Sequence, residues 1–226
     1  MIILASASPR RIEMLQNAGY DPVVRPASII ENVPFYMKPE SATMYLAMKK
    51  AFAVADEITP LSEDGVTVHN PVRFSVNPEW PASGDEIKII AADTVVVHDG
   101  QILSKPKDEI DAYRILSALR GTSHHVVTGV CVCTVSYYGQ MKLENASQYE
   151  LTDGKRQAEC FYEDSEVFFK TYSNEELQAY VQTEEPYDKA GGYAIQGTFG
   201  KYIDHVDGDI DNVIGLPLTK LKQYID

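Results

Sequence analysis

Blocks of apolar and polar residues alternate along the chain, and their spacing predicts a succession of strands and helices. The first block, residues 2–5, is a short apolar run that is typical of a buried strand. After a stretch of small residues, Ser8 has the chemistry of a helix N-cap, and Pro9 suits the first helical position. Apolar residues then recur at threefold spacing from Ile12, which predicts a helix that ends near Gly19.

The middle of the chain predicts one long helix and a strand hairpin. Residues 40–55 carry apolar residues at helical spacing. The predicted stripe consists of Ala42, Tyr45, Leu46 and Ala53. Residues 87–97 are almost continuously apolar, which predicts a strand covered on both faces. The Asp-Gly pair at 99–100 is a turn signal that folds the chain back as a hairpin over residues 101–103.

The second half continues the alternation with further strands and two capped helices. Asp108 caps the first of these helices, and Ser173 with Glu176 forms a capping box for the second. The predicted stripe of the first helix is Ile110, Tyr113, Leu116 and Leu119. The predicted strands cover residues 126–135, 158–171 and 199–206, and a last helix begins at Pro217. This alternation favours an α/β fold with some antiparallel pairing.

Two stretches interrupt the pattern. Residues 60–86 contain four prolines and two pairs of adjacent Gly and Asp, which predicts a surface insertion. Residues 137–156 are polar and weakly patterned, and they predict an extended loop. By length alone, a chain of 226 residues forms either one large α/β domain or two small ones.

The composition of the chain limits which binding partners and which cellular compartment are expected. The formal net charge of −13 disfavours a nucleic-acid duplex or an anionic membrane as a partner, although a small anion can still bind at a local basic cluster. Cys131, Cys133 and Cys160 are an odd number without metal-ligand spacing, which favours buried thiols in a reducing compartment. No apolar run approaches the length of a membrane span, and the first residues lack a signal-peptide pattern, so we expect a cytoplasmic location.

Two adjacent arginines are the first candidates for chemistry. Arg10 and Arg11 stand in the first predicted helical turn, where the helix dipole disfavours a cation by roughly 0.3–1 kcal/mol. Free backbone N–H groups and two guanidinium groups at this place make a site for an anion, and a polyphosphate suits it best. The alternative is two solvated arginines on an ordinary amphipathic helix.

Asp93 is a carboxylate inside an apolar strand, which is an unusual place for an ionised group. Aspartate disfavours strands and is rarely buried without a partner. The alternatives are a hydrogen-bonded core acid or a turn at the end of the strand. Glu31 alone is an ordinary loop acid, but the two acids together could hold a hard divalent cation through oxygen ligands.

Lysines and a glycine-rich loop complete the candidates. Lys50 and Lys105 carry little weight alone, because a lone lysine is most often a solvated surface residue. The loop over residues 189–197 is a stronger candidate for ligand binding, since adjacent glycines let a backbone approach a ligand closely. Its alternative is a plain connection between a helix and a strand, with Tyr193 and Gln196 on the surface.

Taken in order, these motifs resemble those of the Maf family of nucleoside triphosphate pyrophosphatases. The series begins with Ser6-Ala7-Ser8-Pro9-Arg10-Arg11 and Glu31, and it continues through residues 46–51, 92–96, 103–106, 121–130, 188–193 and 212–218. The resemblance spans nearly the whole chain, except for residues 60–86 and for a 137–156 stretch that is longer than is usual. Ile30 stands where the family usually has an aspartate, and Ser104 stands where it usually has a glycine.

The resemblance implies a fold and an activity. The fold is α/β and similar to that of inosine triphosphatase: a single domain over residues 1–226, with a long mixed sheet flanked by helices and a cleft between two lobes. The activity is hydrolysis of the α–β phosphoanhydride of dTTP or UTP, with modified pyrimidine nucleotides as further candidates, to the monophosphate and pyrophosphate. It requires Mg²⁺ or Mn²⁺. The partner is the nucleoside triphosphate, a homodimer is allowed, and neither nucleic acid nor a membrane is expected.

The resemblance also implies a role for each candidate residue. The catalytic residues would be Asp93, Lys105, Glu31 and Lys50. The metal ligands among them would be Glu31 and Asp93, and Asp93 would also orient or deprotonate the attacking water. The residues that bind the substrate would be Ser8, Arg10, Arg11, Lys189 and Gln196. The branch of the family that acts on thymidine and uridine triphosphates has a glutamine at the place of Gln196, which would contact the base.

Two features lie outside these roles. His124 and His125 are interpreted as structural residues at the start of a strand. A second function class also stays open: a nucleotide-binding regulator of cell division or septum formation that does not hydrolyse its ligand. Asp93, Glu31 and Lys105 favour the enzyme, because a protein that only binds has no need of an acid that activates water.

Overall fold

A mixed β-sheet of seven strands runs through the protein. The computed structural model describes residues 1–34, 36–58, 86–137, 140–142, 149–151 and 154–226. The strands are β1 (Ile2–Leu4), β2 (Val23–Val24), β3 (Glu86–His98), β4 (Gln101–Leu103), β5 (Ser123–Tyr137), β6 (Gln140–Lys142), β7 (Tyr149–Leu151), β8 (Gly154–Phe169) and β9 (Ile203–Asp207). Their order across the sheet is β2-β1-β3-β5-β8-β9, with β4 paired to β3, while β6 and β7 form a separate two-stranded sheet.

Helices flank the sheet. Those formed by the described residues are α1 (Pro9–Asn17), α2 (Pro39–Ile58), α3 (Glu109–Leu119), α4 (Asn174–Val181), α5 (Ile210–Ile214) and α6 (Leu218–Ile225). Three short 3₁₀ turns lie between α4 and β9, at Glu185–Asp188, Ala190–Gly192 and Thr198–Tyr202. In the described part of the chain, none of the helices has the length and apolar character that a membrane span requires.

The three long central strands are β3, β5 and β8, and β5 is antiparallel to both of its neighbours. Residues 86–97 of β3 pair with residues 125–136 of β5, and residues 123–137 of β5 pair with residues 154–168 of β8. The short strand β1 pairs in parallel with both β2 and β3. The predicted α/β fold with a long mixed sheet flanked by helices is therefore confirmed.

Helices cover both faces of the central strands, so successive residues of β3 meet different neighbours. Ile89 and Ala91 belong to a buried cluster with α2, whereas Ile90 belongs to a cluster with α1 and α6. Because side chains alternate along a strand, Asp93 continues the first series and Thr94 the second. The alternation directs a carboxylate towards α2 and a hydroxyl towards α1.

A glycine in β5 sets how closely α2 can approach the sheet. A Cβ atom at Gly129 would lie 2.3 Å from backbone atoms of Thr43 and Met44, which is closer than real Cβ contacts. Gly129 stands directly opposite Asp93 in the register of β3 and β5. The missing side chain therefore brings α2 down onto the strand position that carries the candidate carboxylate.

An aromatic cluster supports α3, α4 and the 3₁₀ turns. Phe169, the last residue of β8, makes edge-to-face contacts with Tyr193 at a centroid distance of 4.8 Å and with Phe199 at 5.9 Å. Such tilted arrangements are favoured between aromatic rings because the positive edge of one ring meets the negative face of the other. The cluster gives the glycine-rich stretch around Tyr193 a rigid base.

The buried faces of two helices differ from the predicted stripes. In α3 the buried residues are Ala112, Ile115, Leu116 and Leu119, and Ile110 is exposed. In α2 the buried face runs through Ala47, Ala51 and Val54, and Ala53 is only partly buried. Several stripes can be drawn through a helix that is apolar on more than one side, and the neighbouring elements decide which stripe is covered.

One strand begins later than predicted. The sequence predicts a strand over residues 199–206, but Thr198–Tyr202 is a 3₁₀ turn and β9 covers only Ile203–Asp207. Phe199 and Tyr202 are both buried in the aromatic cluster. Residues three apart share a face of a 3₁₀ turn, so this conformation buries both rings together.

The two interrupting stretches are described only in part. The insertion predicted at residues 60–86 lies outside the described residues, apart from Glu86, which is the first residue of β3. Within the stretch 137–156, which was predicted as a loop, residues 140–142 pair with residues 149–151, and β8 begins at Gly154.

Candidate active site

Lys50 bridges the two carboxylates that the sequence singles out. Its Nζ lies 2.6 Å from Asp93 Oδ1 and 2.7 Å from Glu31 Oε1. Lys50 belongs to α2, Asp93 belongs to β3, and Glu31 lies in the segment between β2 and α2. Three separate parts of the chain therefore meet at one ammonium group, and three of the sequence candidates form one cluster.

The two carboxylates of this cluster differ in how firmly they are held. The Asp93 side chain is 13% exposed and projects from a central strand, whereas the Glu31 side chain is 57% exposed and projects from a loop. The hydrogen bond from Lys50 lowers the pKa of Glu31 against the opposing effect of partial burial, and the charges of Lys105 and Arg11 also lower it. Glu31 is thus an ionised, exposed carboxylate on a loop, beside the largely buried carboxylate of Asp93 on a strand.

The Arg11 guanidinium is held by protein acceptors. Its Nε donates to the carbonyl of Gly215 at 2.8 Å, and its Nη1 donates to the carbonyl of Ala92 at 2.9 Å. Nη1 also donates to Ser6 Oγ at 3.3 Å, and Nη2 donates to Thr94 Oγ1 at 3.0 Å. These bonds use four of the five N–H groups of an arginine. Burial lowers the pKa of this guanidinium to about 10, so it stays charged at neutral pH.

The start of α1 offers a second cation and free backbone donors. Ser8 is the N-cap and Pro9 is the first helical residue, but the Ser8 hydroxyl accepts no hydrogen bond from the helix. Of the two arginines, only Arg11 has hydrogen-bond acceptors among the described residues. The positive end of the helix dipole and the Arg10 guanidinium therefore suit the oxygens of a phosphate.

A buried series of polar side chains supports Arg11, and the sequence analysis missed it. Thr94 Oγ1 lies 2.9 Å from Thr128 Oγ1, which donates to the carbonyl of Asn212 at 3.0 Å. Asn212 Nδ2 in turn donates to Ser165 Oγ at 2.9 Å. All but Thr94 are fully buried. Thr128, a polar residue inside an apolar run, was the available signal, because buried polar groups are nearly always hydrogen-bonded.

The two remaining lysines lie in different surroundings. Lys189 Nζ donates to the carbonyl of Glu185 at 2.6 Å and to Asp188 Oδ1 at 2.5 Å. Lys105 is exposed, and its charge contributes to the low pKa of Glu31. An incoming phosphate can therefore contact Lys105 directly, whereas Lys189 would first have to release Asp188.

The conformation of the glycine-rich stretch depends on two glycines and on a hydrogen bond between its flanking residues, and Gln196 of this stretch is exposed to solvent. Gly191 and Gly192 have φ values of 69° and 77°, which only glycine adopts without strain. Glu185 Oε1 accepts a hydrogen bond from the Thr198 backbone N–H at 3.0 Å and so joins the two ends of the stretch. Gln196 is exposed, and the hydrogen bonds and ion pairs of the carboxylate cluster among the described residues do not include it.

His124 joins β5 to the glycine-rich stretch. Its Nε2 lies 2.5 Å from the Tyr193 hydroxyl, and both side chains are buried. Its Nδ1 has no hydrogen-bond partner among the described residues. Burial, with smaller contributions from the charges of the nearby His98 and His125, lowers the pKa of His124 to about 3. A neutral, buried imidazole in this place fits the interpretation of His124 as a structural residue.

Replacing His124 with glutamine should make unfolding less sensitive to acid. The folded protein keeps His124 neutral down to about pH 3, whereas the unfolded chain protonates it near pH 6.5. The stability linked to this group is therefore present above pH 6.5 and is lost as the pH falls towards 3, at up to about 1.4 kcal/mol per pH unit.

Urea unfolding at several pH values between about 7 and 4 tests this expectation. The variant should show a slope of unfolding free energy against pH that is smaller by about one proton. Tyr193→Phe is the matched control: it removes the hydrogen-bond partner but leaves the imidazole buried, so it should keep the wild-type slope. An unchanged slope in His124→Gln would mean that the folded protein protonates this residue as readily as the unfolded chain does.

The carboxylate cluster has the donor chemistry of a site for a hard divalent cation. Glu31 and Asp93 supply oxygen ligands, and both reach one cationic centre at Lys50. In the residues that the structure describes, no group of three or more His, Cys, Asp or Glu side chains forms a complete metal site. Mg²⁺ is commonly held by one or two carboxylates together with phosphate oxygens of the substrate, and this pair fits that arrangement.

Comparison with known proteins shows similarity over the whole chain. A family model described as Maf-like protein matches residues 1–226. A protein of Agathobacter rectalis named dTTP/UTP pyrophosphatase is 37% identical over 224 residues, which cover 99% of this chain and 95% of that protein. Proteins of the same name from Desulfitobacterium hafniense and Exiguobacterium sibiricum are 37% and 36% identical over 225 residues, which cover 100% of this chain and 84% and 91% of those proteins.

Proposed function

The chain belongs to the Maf family, and we propose that it is an enzyme that hydrolyses dTTP and UTP to the nucleoside monophosphate and pyrophosphate. Relatives with this activity in their names align with it over nearly its full length. The observation that carries the proposal is the meeting of Glu31 and Asp93 on the Lys50 ammonium group, at 2.7 and 2.6 Å. Such a cluster beside a helix N-terminus suits the hydrolysis of a phosphoanhydride, which depends mostly on positioning and charge stabilisation.

Asp93 is the residue best placed to accept a proton from the attacking water. It projects from a central strand, and Lys50 engages its Oδ1 atom. The Oδ2 atom can then orient a water molecule and take its proton. Lys50 holds the two carboxylates in position, and Arg10, Lys105 and the N-terminus of α1 would bind the phosphate oxygens.

We also propose that Glu31 and Asp93 hold Mg²⁺ or Mn²⁺. A bound divalent cation would neutralise the negative charge of the phosphates and polarise their oxygens. Glu31 lies on an exposed loop, so its carboxylate can turn from Lys50 towards the cation. Asp93 has no such freedom and defines where the cation would lie.

A panel of nucleoside triphosphates, incubated with and without Mg²⁺ or Mn²⁺, tests the proposal. We expect release of pyrophosphate without orthophosphate from dTTP and UTP, and loss of activity on chelation. Orthophosphate as the first product, or activity that survives chelation, would contradict it. Tight nucleotide binding without any product would favour the alternative, a nucleotide-binding regulator of cell division or septum formation. A cytoplasmic location, a homodimer and the absence of nucleic-acid partners stay predictions.

Gln196→Glu should weaken kcat/KM for dTTP and UTP by at least about tenfold. Uracil and thymine present an N3–H donor between two carbonyl acceptors, and a glutamine amide offers one acceptor and one donor to match. A glutamate would place acceptor against acceptor and leave polar groups unpaired, at about 1–3 kcal/mol each. Guanine presents two adjacent donors that suit a carboxylate, so activity on guanine nucleotides should stay equal or rise.

Steady-state kinetics on UTP, dTTP and GTP measure this effect. Gln157→Glu, which adds the same charge at another exposed position, is the matched control and should leave the preference unchanged. If Gln196→Glu loses activity on all three nucleotides in proportion, Gln196 supports the loop or the phosphates, and another residue contacts the base.

A further inference from the structure

Two cysteines stand directly opposite each other on the two longest strands of the sheet. Cys131 of β5 pairs with Cys160 of β8 in the antiparallel register. Residues opposite each other in such a pair have Cα atoms about 4.5–5.5 Å apart and side chains on the same face. That range lies within the separation of about 4.4–6.8 Å that a disulfide requires. The backbone therefore already places the two residues at a Cα separation from which a disulfide can form.

The two thiols have opposite surroundings. Cys160 is exposed, in an open concave surface that Met44 and Tyr162 also line. Cys131 is fully buried beneath α2, in the cluster that contains Ala91. A small oxidant in solution can thus reach Cys160 but not Cys131.

The thiols also polarise each other in opposite directions. A hydrogen bond from Cys131 lowers the pKa of Cys160, against the opposing effect of partial burial. The same bond raises the pKa of Cys131, and burial raises it further. Cys160 is accordingly the thiol with greater thiolate character, and Cys131 is the one that keeps its proton. An exposed thiolate next to a second thiol is the usual arrangement of a cysteine that responds to oxidants.

Cys133 provides an internal comparison. It lies on the same strand and face as Cys131, but the residue opposite it on β8 is Ala158. It is buried, and burial raises its pKa to about 11. Cys133 therefore has neither access to solvent nor a thiol across the strand.

We propose that Cys160 and Cys131 form a peroxide-responsive pair that closes into a cross-strand disulfide. Cys160 first loses its thiol proton. Its thiolate attacks one oxygen of hydrogen peroxide, the O–O bond breaks, and a sulfenic acid and a hydroxide result; this hydroxide takes the proton and gives the first water. The Cys131 sulfur then attacks Cys160 Sγ, the S–S bond forms, the S–O bond breaks, and the released hydroxide takes the Cys131 proton. In sum, two thiols and one peroxide give one disulfide and two waters. The proposal concerns thiol chemistry alone and does not rest on the proposed enzymatic function.

Peptide mass spectrometry of the whole protein tests the proposal. The reduced protein is treated with hydrogen peroxide, free thiols are alkylated, and the chain is digested without reduction. We expect a cross-linked pair of peptides that joins Cys131 to Cys160, with Cys133 alkylated in full. Before oxidation, Cys160 should react with iodoacetamide at least about tenfold faster than Cys133.

Three variants separate the roles. Cys131→Ser should leave Cys160 without its partner, so that it proceeds to sulfinic acid at a peroxide dose that gives only disulfide in the wild type. Cys160→Ser should leave the other two thiols unoxidised at that dose. Cys133→Ser should behave as the wild type.

Several results in the wild type itself would overturn the proposal, so it does not depend on whether the variants fold. They are sulfinic acid at Cys160 with Cys131 still reduced, a disulfide between two chains through Cys160, or three thiols that remain free under excess peroxide.

Discussion

Asp93→Asn is expected to abolish turnover while it keeps the fold and nucleotide binding. Asparagine has nearly the same shape and retains one oxygen that can accept the hydrogen bond from Lys50, which the wild type makes at 2.6 Å. It carries no charge and cannot take a proton from water. General-base catalysis alone contributes roughly 10²–10⁴-fold, and the weaker metal ligand that our proposal implies would add to that loss.

The measurement is kcat for UTP together with the Kd of a non-hydrolysable analogue. Asp99→Asn is the matched control, because Asp99 is exposed and has a positive φ of 49° that asparagine also tolerates. The control should keep nearly the wild-type rate. An Asp93→Asn enzyme that retains more than about a tenth of that rate would assign proton transfer to another group.

Arg11→Met is expected to lower the free energy of unfolding by at least about 3 kcal/mol. The guanidinium donates to the Ala92 and Gly215 carbonyls and to the Ser6 and Thr94 hydroxyls. Methionine fills a similar volume but donates nothing, so each acceptor shielded from water loses its partner at about 1–3 kcal/mol. In the structure four of the five N–H groups of Arg11 donate to protein acceptors, and its contact with substrate phosphate stays a prediction.

Arg10→Met is the matched control for this prediction. Arg10 is in the same helical turn, and among the described residues it has no acceptor for its guanidinium. Its loss should change stability by less than about 0.5 kcal/mol but should raise KM for nucleotides. Urea unfolding and steady-state kinetics on both variants make the comparison. An Arg11→Met protein of wild-type stability with a raised KM would instead make Arg11 a direct phosphate ligand.

The two arginines also show why neighbours in a motif can have different roles. Arg10 and Arg11 are adjacent, but residues one apart on a helix point about 100° away from each other. Arg11 is directed to the sheet and to the turn before α6, whereas Arg10 has no hydrogen-bond acceptor among the described residues. Both cations are disfavoured by the helix dipole in the first turn. Protein acceptors offset this cost for Arg11 and, in our proposal, substrate phosphate offsets it for Arg10.

Short-range sequence patterns were sufficient to predict much of the secondary structure. The buried strands β3 and β5, the hairpin at Gly100 and the capping box of α4 all agree with the sequence-based predictions. Each of these depends on interactions within a few residues, such as the side-chain period, the conformations open to glycine and the first turn of a helix. The same local chemistry drew attention to Asp93, because a carboxylate in an apolar strand is costly without a partner.

Contacts between distant parts of the chain decided which of the candidate residues come together. Lys50 and Asp93 are 43 positions apart, and Arg11 and Gly215 are 204 positions apart, so no local pattern reveals that they meet. The strand register placed Cys131 opposite Cys160, and the approach of α2 over Gly129 carried Lys50 to Asp93. The sequence was therefore enough to select candidate residues by their type, but the partners of these residues depend on tertiary packing. The partners in turn decide whether a charged side chain stabilises the fold or is free to bind a ligand.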